Sequence, residues 1–439
     1  MKYFEISSEA NLTEVKQFIL DTADRSTDTS SKKERRESIE AIIADVRNRG
    51  DAALVEYTER FDGIKLDTSQ IELTQDEIEE AVATVPKRII AILERAHEHI
   101  RAFHAKNLRE SWEQSLPDGS MYGQRVTPIE TAGVYVPGGK AFYPSSVLMN
   151  IVPARVAQVQ TIVMVSPPSY EGSIHPAVLA AARLAGATRV FRVGGVQAVA
   201  ALAYGTETIP SVVKITGPGN AYVTMAKALV RGSVDIDSEA GPSEVVVLAD
   251  KTANPNHVAA ELLAQAEHDE EALCLLFTPS KALAEAVIER VKERMAVQSR
   301  AAIIEKSLND FGAVVVTPDM DTAIELTNLT APEHLSVQTE YAPREAAKIV
   351  NAGAIMLGAM TPVAVGDYYA GPNHILPTMR RARYASPLSA EDFRKVTNIM
   401  QYSKKRLMRD AHDIEELATL EGLEAHAESV TVRIRDVRQ

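Results

Sequence analysis

The chain has 439 residues, which at about 150 residues per domain predicts roughly three folding units and a sizeable buried core. Hydrophobic residues at 45% and charged residues at 24% exclude intrinsic disorder, a collagen-like repeat and a disulfide-stapled secreted scaffold. A net charge of −13 repels a phosphate backbone over most of the surface, so neither nucleic acid nor an anionic membrane is expected as a partner.

Cys274 is the single cysteine, so no intrachain disulfide and no CxxC pair can form, and a cytoplasmic address fits. The start, Met1-Lys2-Tyr3-Phe4-Glu5, lacks a basic region ahead of a long apolar stretch. No later segment approaches 18 uncharged apolar residues, so the expectation is a chain that neither targets nor spans a membrane.

Residues 31–107 are charged and helix-periodic, with Ile39, Ile42, Ile43 and Val46 at helical spacing. Thr74 with Glu77 three residues on, ahead of Ile78, Val82 and Ile89, predicts a capping box that starts another helix. Between Thr131 and Asp250 short β-branched runs at 161–165, 189–193, 212–215 and 244–248 recur, each followed by glycine or proline and an alanine-rich stretch. The spacing of the first three predicts a parallel, doubly wound sheet. A second α/β stretch covers 272–357, with strand-like segments at 273–277, 313–316 and 354–357 and the early helical region as its candidate partner. Beyond Pro377, the basic patch Arg380, Arg381 and Arg383 predicts a linker. Ser389 with Asp392 then opens a final helical segment, too small to fold alone, with a strand-like run at 430–432.

Three glycine-bearing turns stand out, at 133–139, 194–197 and 217–220. The latter two follow a strand and precede a helix, where glycine permits close ligand approach and the helix N-terminus favours a phosphate. None reads GxGxxG, so a nucleotide site and plain βα turns both remain open. Tyr135, Gln197 and Asn220 are the groups these turns would present.

Asn254 with Pro255 predicts a helix start. Gln265 and His268 share one face of that helix and either converge on a metal ion or form a surface pair. Glu333 and His334 place a carboxylate beside an imidazole at an expected loop, a pair suited to activating water and shuttling a proton. Residues 366–374, with Asp367 and His374, are too polar and turn-rich for a core segment. Glu421 and His426 read as a solvated helix end, and His97, His99, His104 and His412 as surface histidines. Cys274 lies in an apolar strand, as a buried inert thiol would. No GxSxG elbow surrounds Ser243.

Taken together, these segments resemble the histidinol dehydrogenase family along essentially the whole chain. The phrases that carry the resemblance are Gly133-Val-Tyr-Val-Pro-Gly-Gly-Lys140, Tyr143-Pro-Ser-Ser-Val-Leu-Met-Asn150, Ala240-Gly-Pro-Ser-Glu244, Gln265-Ala-Glu-His268, Ala331-Pro-Glu-His-Leu335 and Gly371-Pro-Asn-His-Ile-Leu-Pro-Thr378. The resemblance implies an α/β protein of two Rossmann-like doubly wound domains with small N- and C-terminal helical extensions. Residues 1–30 would be the N-terminal extension, and 31–134 plus 244–379 the first Rossmann-like domain, carrying the metal ligands and catalytic pair. Residues 135–243 would be the second, NAD-binding domain and 380–439 a C-terminal dimer-swapped domain.

The resemblance further implies NAD and Zn2+ as cofactors, a place in histidine biosynthesis and a homodimer with shared active sites. Its zinc ligands fall on Gln265, His268, Asp367 and His426, the last supplied by the other subunit, and its catalytic pair on Glu333 and His334. Tyr135, Gln197 and Asn220 match its NAD contacts. Ser243, His374 and Glu421 match substrate contacts, completed by the zinc ligands and the catalytic pair. The implied reaction is a four-electron oxidation of L-histidinol through the aldehyde to L-histidine.

Two departures from the family pattern, Thr378-Met-Arg-Arg-Ala-Arg383 and Asp237-Ser-Glu239, predict an altered charge in the cleft. They leave another primary alcohol, such as the sulfonated diol dihydroxypropanesulfonate, as the alternative substrate. A non-catalytic nucleotide-binding paralogue and zinc hydrolysis without NAD are the remaining readings.

Overall fold

A computed structural model describes residues 1–23, 29–106, 108–138 and 142–438. Gly139 and Lys140 of the first glycine-bearing turn lie outside the described residues. Two compact units emerge: Met1–Asn107 with Glu130–Phe393, and Leu108–Ile129 with Arg394–Gln439.

The larger unit holds two parallel sheets. The five-stranded one runs in the order β6 (Arg189–Phe191), β5 (Thr161–Val165), β4 (Thr131–Tyr135), β7 (Lys214–Thr216) and β8 (Asp235–Ile236). The first strand in sequence is central and the later ones go to either side, so the sheet is doubly wound. Strands such as Thr-Ile-Val-Met-Val are β-branched and buried on both faces, as helices on each side require. Helix Thr29–Arg49 packs on helices Gly195–Tyr204 and Ala221–Val230 of this sheet, and all four of its periodic residues, Ile39, Ile42, Ile43 and Val46, are buried. The early helical region thus covers the five-stranded sheet rather than the 272–357 stretch. The capping box forms as expected: Glu77 N–H donates to Thr74 Oγ1 at 3.2 Å and Thr74 N–H to Glu77 Oε2 at 2.8 Å.

The six-stranded sheet runs β1 (Lys2–Glu5), β11 (Gly312–Val316), β10 (Leu273–Thr278), β9 (Glu244–Ala249), β12 (His334–Gln338) and β13 (Ala354–Leu357). The 1–30 segment, expected as a helical extension, supplies its edge strand and helix Glu9–Ala23, whose Val15, Phe18 and Ile19 enter the core. A four-residue strand is too short for a periodicity to show. The 244–248 run joins this sheet, not the preceding one, hydrogen-bonded in parallel between β10 and β12. The expected boundary at 134/135 falls inside β4, a strand of the five-stranded sheet.

The smaller unit is an antiparallel sheet, β14 (Arg394–Gln401), β3 (Met121–Pro128) and β2 (Trp112–Ser115), with helices Lys404–Leu420 and Glu424–Arg438 packed on each other. Two expectations are corrected here. Ser389 and Asp392 open only the short 3-10 helix Ala390–Phe393, and the chain then runs as a strand, paired from Arg394 opposite Pro128 to Gln401 opposite Met121, before helix Lys404–Leu420 begins. Residues 430–432 lie in helix Glu424–Arg438, because three β-branched positions do not outweigh the helix-forming run around them.

His104 corrects a third. It is buried, its Nε2 has no hydrogen-bond partner, and burial pulls its imidazole down to about 4.

Candidate active site

A cavity of about 820 Å³, within the usual range for a small-molecule site, opens in the larger unit. Its walls are residues that follow β4 and β7, among them Gly138, Gly219 and Asn220, and residues that precede or begin β9 and β12, among them Ser243, Glu333 and His334. One sheet thus offers its C-terminal edge, where open α/β sheets bind ligands. The other offers its N-terminal edge.

His334 is the first residue of β12, in register with Val245 of β9, and the loop expected there is a strand start. Its Nδ1 lies 3.1 Å from the Glu244 carbonyl oxygen and 3.4 Å from Glu333 Oε2, and its Nε2 3.2 Å from Asp367 Oδ1. Carbonyl and carboxylate oxygens only accept, so in this arrangement both ring nitrogens donate and the ring is the imidazolium; when the ring is neutral, Nδ1 keeps its proton toward the Glu244 carbonyl and Nε2 is the nitrogen with a lone pair. Burial disfavours the imidazolium. The Glu333 charge and the bonds to Asp367 and Glu333 outweigh it and hold His334 well above the ordinary imidazole value.

Glu333 is buried beside it and accepts the Glu244 N–H at Oε2, 2.9 Å away. This fixes one carboxylate oxygen and the plane of the group.

Gln265 ends helix Pro255–Ala266, whose start is capped by Asn254 as expected. The chain then turns tightly, with His268 N–H donating to the Gln265 carbonyl at 3.2 Å. Asp367 comes from helix Val363–Tyr368, in a segment expected as loop. All three line the cavity. Burial would raise Asp367, but hydrogen bonding to His334 and the charges of His334, His374 and His268 keep its carboxyl below the usual range. An amide oxygen, an imidazole nitrogen and a carboxylate oxygen around one space suit a borderline divalent ion and leave positions for substrate. Among the described residues no group of three or more His, Cys, Asp and Glu is placed to hold a metal, and this set has only two of those types. His374 also lines the cavity, with Nδ1 2.8 Å from the Asp367 carbonyl and Nε2 3.4 Å from Ser146 Oγ.

On the other wall Asn220 caps helix Ala221–Val230, accepting from Tyr222 N–H at 3.0 Å and Val223 N–H at 3.1 Å. Gly217 has φ +115, and a Cβ there would collide with the Tyr135 carbonyl oxygen, so only glycine permits this turn. Tyr135 and Gln197 are buried and do not line the cavity. The Tyr135 hydroxyl accepts the Gly195 N–H at 3.2 Å, and burial pushes its phenol up to about 12. Gln197 is 1% exposed with neither amide atom hydrogen-bonded, an unmet polar demand that fits a bound polar ligand such as a dinucleotide.

Several residues have supporting roles that the sequence did not reveal. Asp237 forms a buried ion pair with Lys227 and accepts the Gly217 N–H at 2.7 Å, so the pair braces the 217–220 turn. Glu244 and Glu261 are buried carboxylates, Glu244 heading the apolar strand β9 and Glu261 flanked by Ala259, Ala260, Leu262 and Leu263, which was the available signal. The two departures from the family pattern meet: Arg381 pairs with Glu239 Oε2 at 3.0 Å and also donates to its carbonyl, and Arg380 Nε donates to the Leu329 carbonyl at 3.1 Å. Arg381 is thus paired with Glu239, and neither of them lines the cavity, whereas Asp237 of the same departure does. Glu421 and His426 belong to the smaller unit, Glu421 at the end of helix Lys404–Leu420 and His426 on helix Glu424–Arg438, both exposed.

The model of the histidinol dehydrogenase family matches residues 25–434. A histidinol dehydrogenase of Synechococcus sp. is 49% identical over 399 residues, covering 91% of this chain and 92% of its own length. One from Geobacter sulfurreducens is 52% identical over 395 residues, covering 90% and 92%. The crystal structure of histidinol dehydrogenase from Elizabethkingia anophelis superposes with a TM-score of 0.90 at 33% identity, covering 100% of this chain and 99% of that one.

Proposed function

The chain belongs to the histidinol dehydrogenase family, and on that premise we propose that its cavity oxidises L-histidinol in two NAD-linked steps, through the aldehyde, to L-histidine. The observation that carries the reading is the convergence of Gln265, His268, Asp367, Glu333 and His334 on one cavity.

Gln265, His268 and Asp367 would hold Zn2+, with His426 of the partner subunit as the fourth ligand in a homodimer. When bound, the zinc supplies a fixed anchor for the amine and imidazole of the substrate, and NAD accepts one hydride in each oxidation. Tyr135, Gln197 and Asn220 would bind NAD, and Ser243, His374 and Glu421 would contact substrate.

In the first oxidation His334 Nε2 removes the hydroxyl proton as the carbinol carbon loses hydride. Glu333 then orients a water molecule at the aldehyde carbon and takes its proton, while His334 returns its proton to the aldehyde oxygen, giving the hydrate and a neutral His334. His334 deprotonates the hydrate as a second hydride leaves, and the carboxylate forms. One alcohol, one water and two NAD+ become one carboxylate, two NADH and three protons. Residues that enclose the aldehyde between steps prevent its loss to solvent.

The sulfonated diol is not favoured: the relatives named above are histidinol dehydrogenases, and Arg381 is engaged by Glu239. Among the described residues no helix is long and apolar enough to cross a membrane. The lone Cys274 agrees with the reducing cytoplasm, where we place the protein.

The test is NADH absorbance from purified protein with zinc, NAD and limiting L-histidinol. Two NADH per substrate are expected. No NADH from any primary alcohol would remove the reading, and turnover of the sulfonated diol in place of histidinol would select the alternative.

A further inference from the structure

Glu261 is 7% exposed, and its Oε2 accepts the backbone N–H of Val363 at 3.0 Å. It stands four residues before Gln265 on helix Pro255–Ala266, so the two side chains leave the same helical face. Val363 is the first residue of the six-residue helix that carries Asp367. A first-turn N–H has no acceptor within its own helix, and the preceding residue, Pro362, has no N–H to offer. Val363 is also buried in the same apolar cluster as Val258 and Leu262 of the Gln265 helix. Two helices that bring in different ligands are therefore joined at one directional bond, made by a carboxylate in a place where an apolar side chain would pack at less cost.

We propose that Glu261 is a positioning residue: through its bond to Val363 it fixes the separation of Gln265 from Asp367, and with it the metal affinity of the site. This rests on the metal reading given above. Apolar contact alone permits the short helix to slide or rotate by fractions of an ångström, and ligand spacing tolerates little of that. Loss of such an outer partner typically weakens a metal about 10–100-fold.

Zinc affinity of the full chain, measured by competition with a chromophoric chelator, tests the inference without turnover. Glu261→Ala should weaken zinc by about 10–100-fold, whereas Glu261→Gln, which retains an acceptor oxygen, should stay close to wild type. Val363→Pro removes the donor instead, at a helix position where proline is tolerated. It should show a similar loss, and the double variant with Glu261→Ala should be no worse than either single one. Hydrogen exchange of the metal-free Glu261→Ala protein should rise at the amides of 364–368.

Unchanged zinc affinity in Glu261→Ala would overturn the proposal, as would an equal loss in Glu261→Gln or additive losses in the double variant. Should Glu261→Ala not fold, the Glu261→Gln and Val363→Pro arms decide by the same criteria. A wild-type chain that binds no zinc removes the metal reading and this inference together, while zinc bound by wild type and by Glu261→Ala alike removes only the inference.

Discussion

Glu244 and Glu333 hydrogen-bond each other in both directions: Glu244 N–H donates to Glu333 Oε2 at 2.9 Å, and Glu333 N–H to Glu244 Oε2 at 3.3 Å. The remaining Glu244 oxygen accepts the Met379 N–H at 3.0 Å, and its carbonyl faces His334 Nδ1. One residue at the start of β9 thereby orients both members of the catalytic pair. Glu244→Ala keeps the backbone N–H and carbonyl that meet the catalytic pair but leaves the buried Glu333 N–H and the half-buried Met379 N–H without acceptors, so it should cost about 1–3 kcal/mol of stability. Turnover should fall only as far as a shift of the Glu333 backbone carries its carboxylate, while KM for NAD holds. Urea unfolding and steady-state kinetics on one preparation check both.

His334→Asn removes the Nε2 lone pair, and with it the Nε2 contact to Asp367, without touching Gln265 or His268. Turnover should drop by about 10²–10⁴-fold, the usual worth of a positioned base, and zinc content should stay at the wild-type level. A variant that emerges metal-free would contradict the assigned role, so metal analysis must accompany the kinetics.

Arg381 and Glu239 are half-exposed partners, and pairs of that kind contribute about 0–1 kcal/mol. Arg381→Ala should leave KM for histidinol near wild type and confer no new discrimination against sulfonated substrates. A large rise in KM would mean that the guanidinium meets the substrate.

His104 supplies a pH dependence. Its folded-state value of about 4 lies below the ordinary 6.5, so between those values the unfolded chain binds more protons. Stability is then fully present above pH 6.5 and is lost as pH falls toward 4, by about 2–3 kcal/mol from this group. His104→Leu, which also removes the unpartnered Nε2, should flatten that part of the curve. Chemical denaturation at pH 7.5 and pH 5 would reveal it, and equal slopes in both proteins would refute the assignment.

A shared site predicts rescue. Inactive His426→Ala and Gln265→Ala chains, unfolded and refolded together, should regain some activity if each dimer can assemble one intact ligand set. Verified mixed dimers without any activity would show that each chain builds its site alone.

Local signals in the amino-acid order were enough for the elements whose physics is local. The capping box at Thr74 and Glu77, the Asn254-Pro255 helix start and the apolar face of Ile39, Ile42, Ile43 and Val46 all form as read. The β-branched run at 161–165 and the apolar run at 273–277 are strands for the same reason. Sheet membership was not legible. Whether the 244–248 run extends one sheet or founds another depends on partners 30 to 90 residues away, and β1 is recruited by β11 from the far side of the sequence. The strand at 394–401 likewise owes its state to β3.

The chemistry divides in the same way. Composition, the quoted phrases and the types of residue at 265, 268, 333, 334 and 367 belong to the chain itself, and with them its family and the donors available to a metal. Only folding decided that His334 presents Nε2 to Asp367, that Glu244 aligns Glu333, and that Arg381 cancels Glu239. Hydrogen bonds and ion pairs act over about 3 Å, and these partners, 33, 89 and 142 positions apart, reach that distance only when two sheets and their helices have packed.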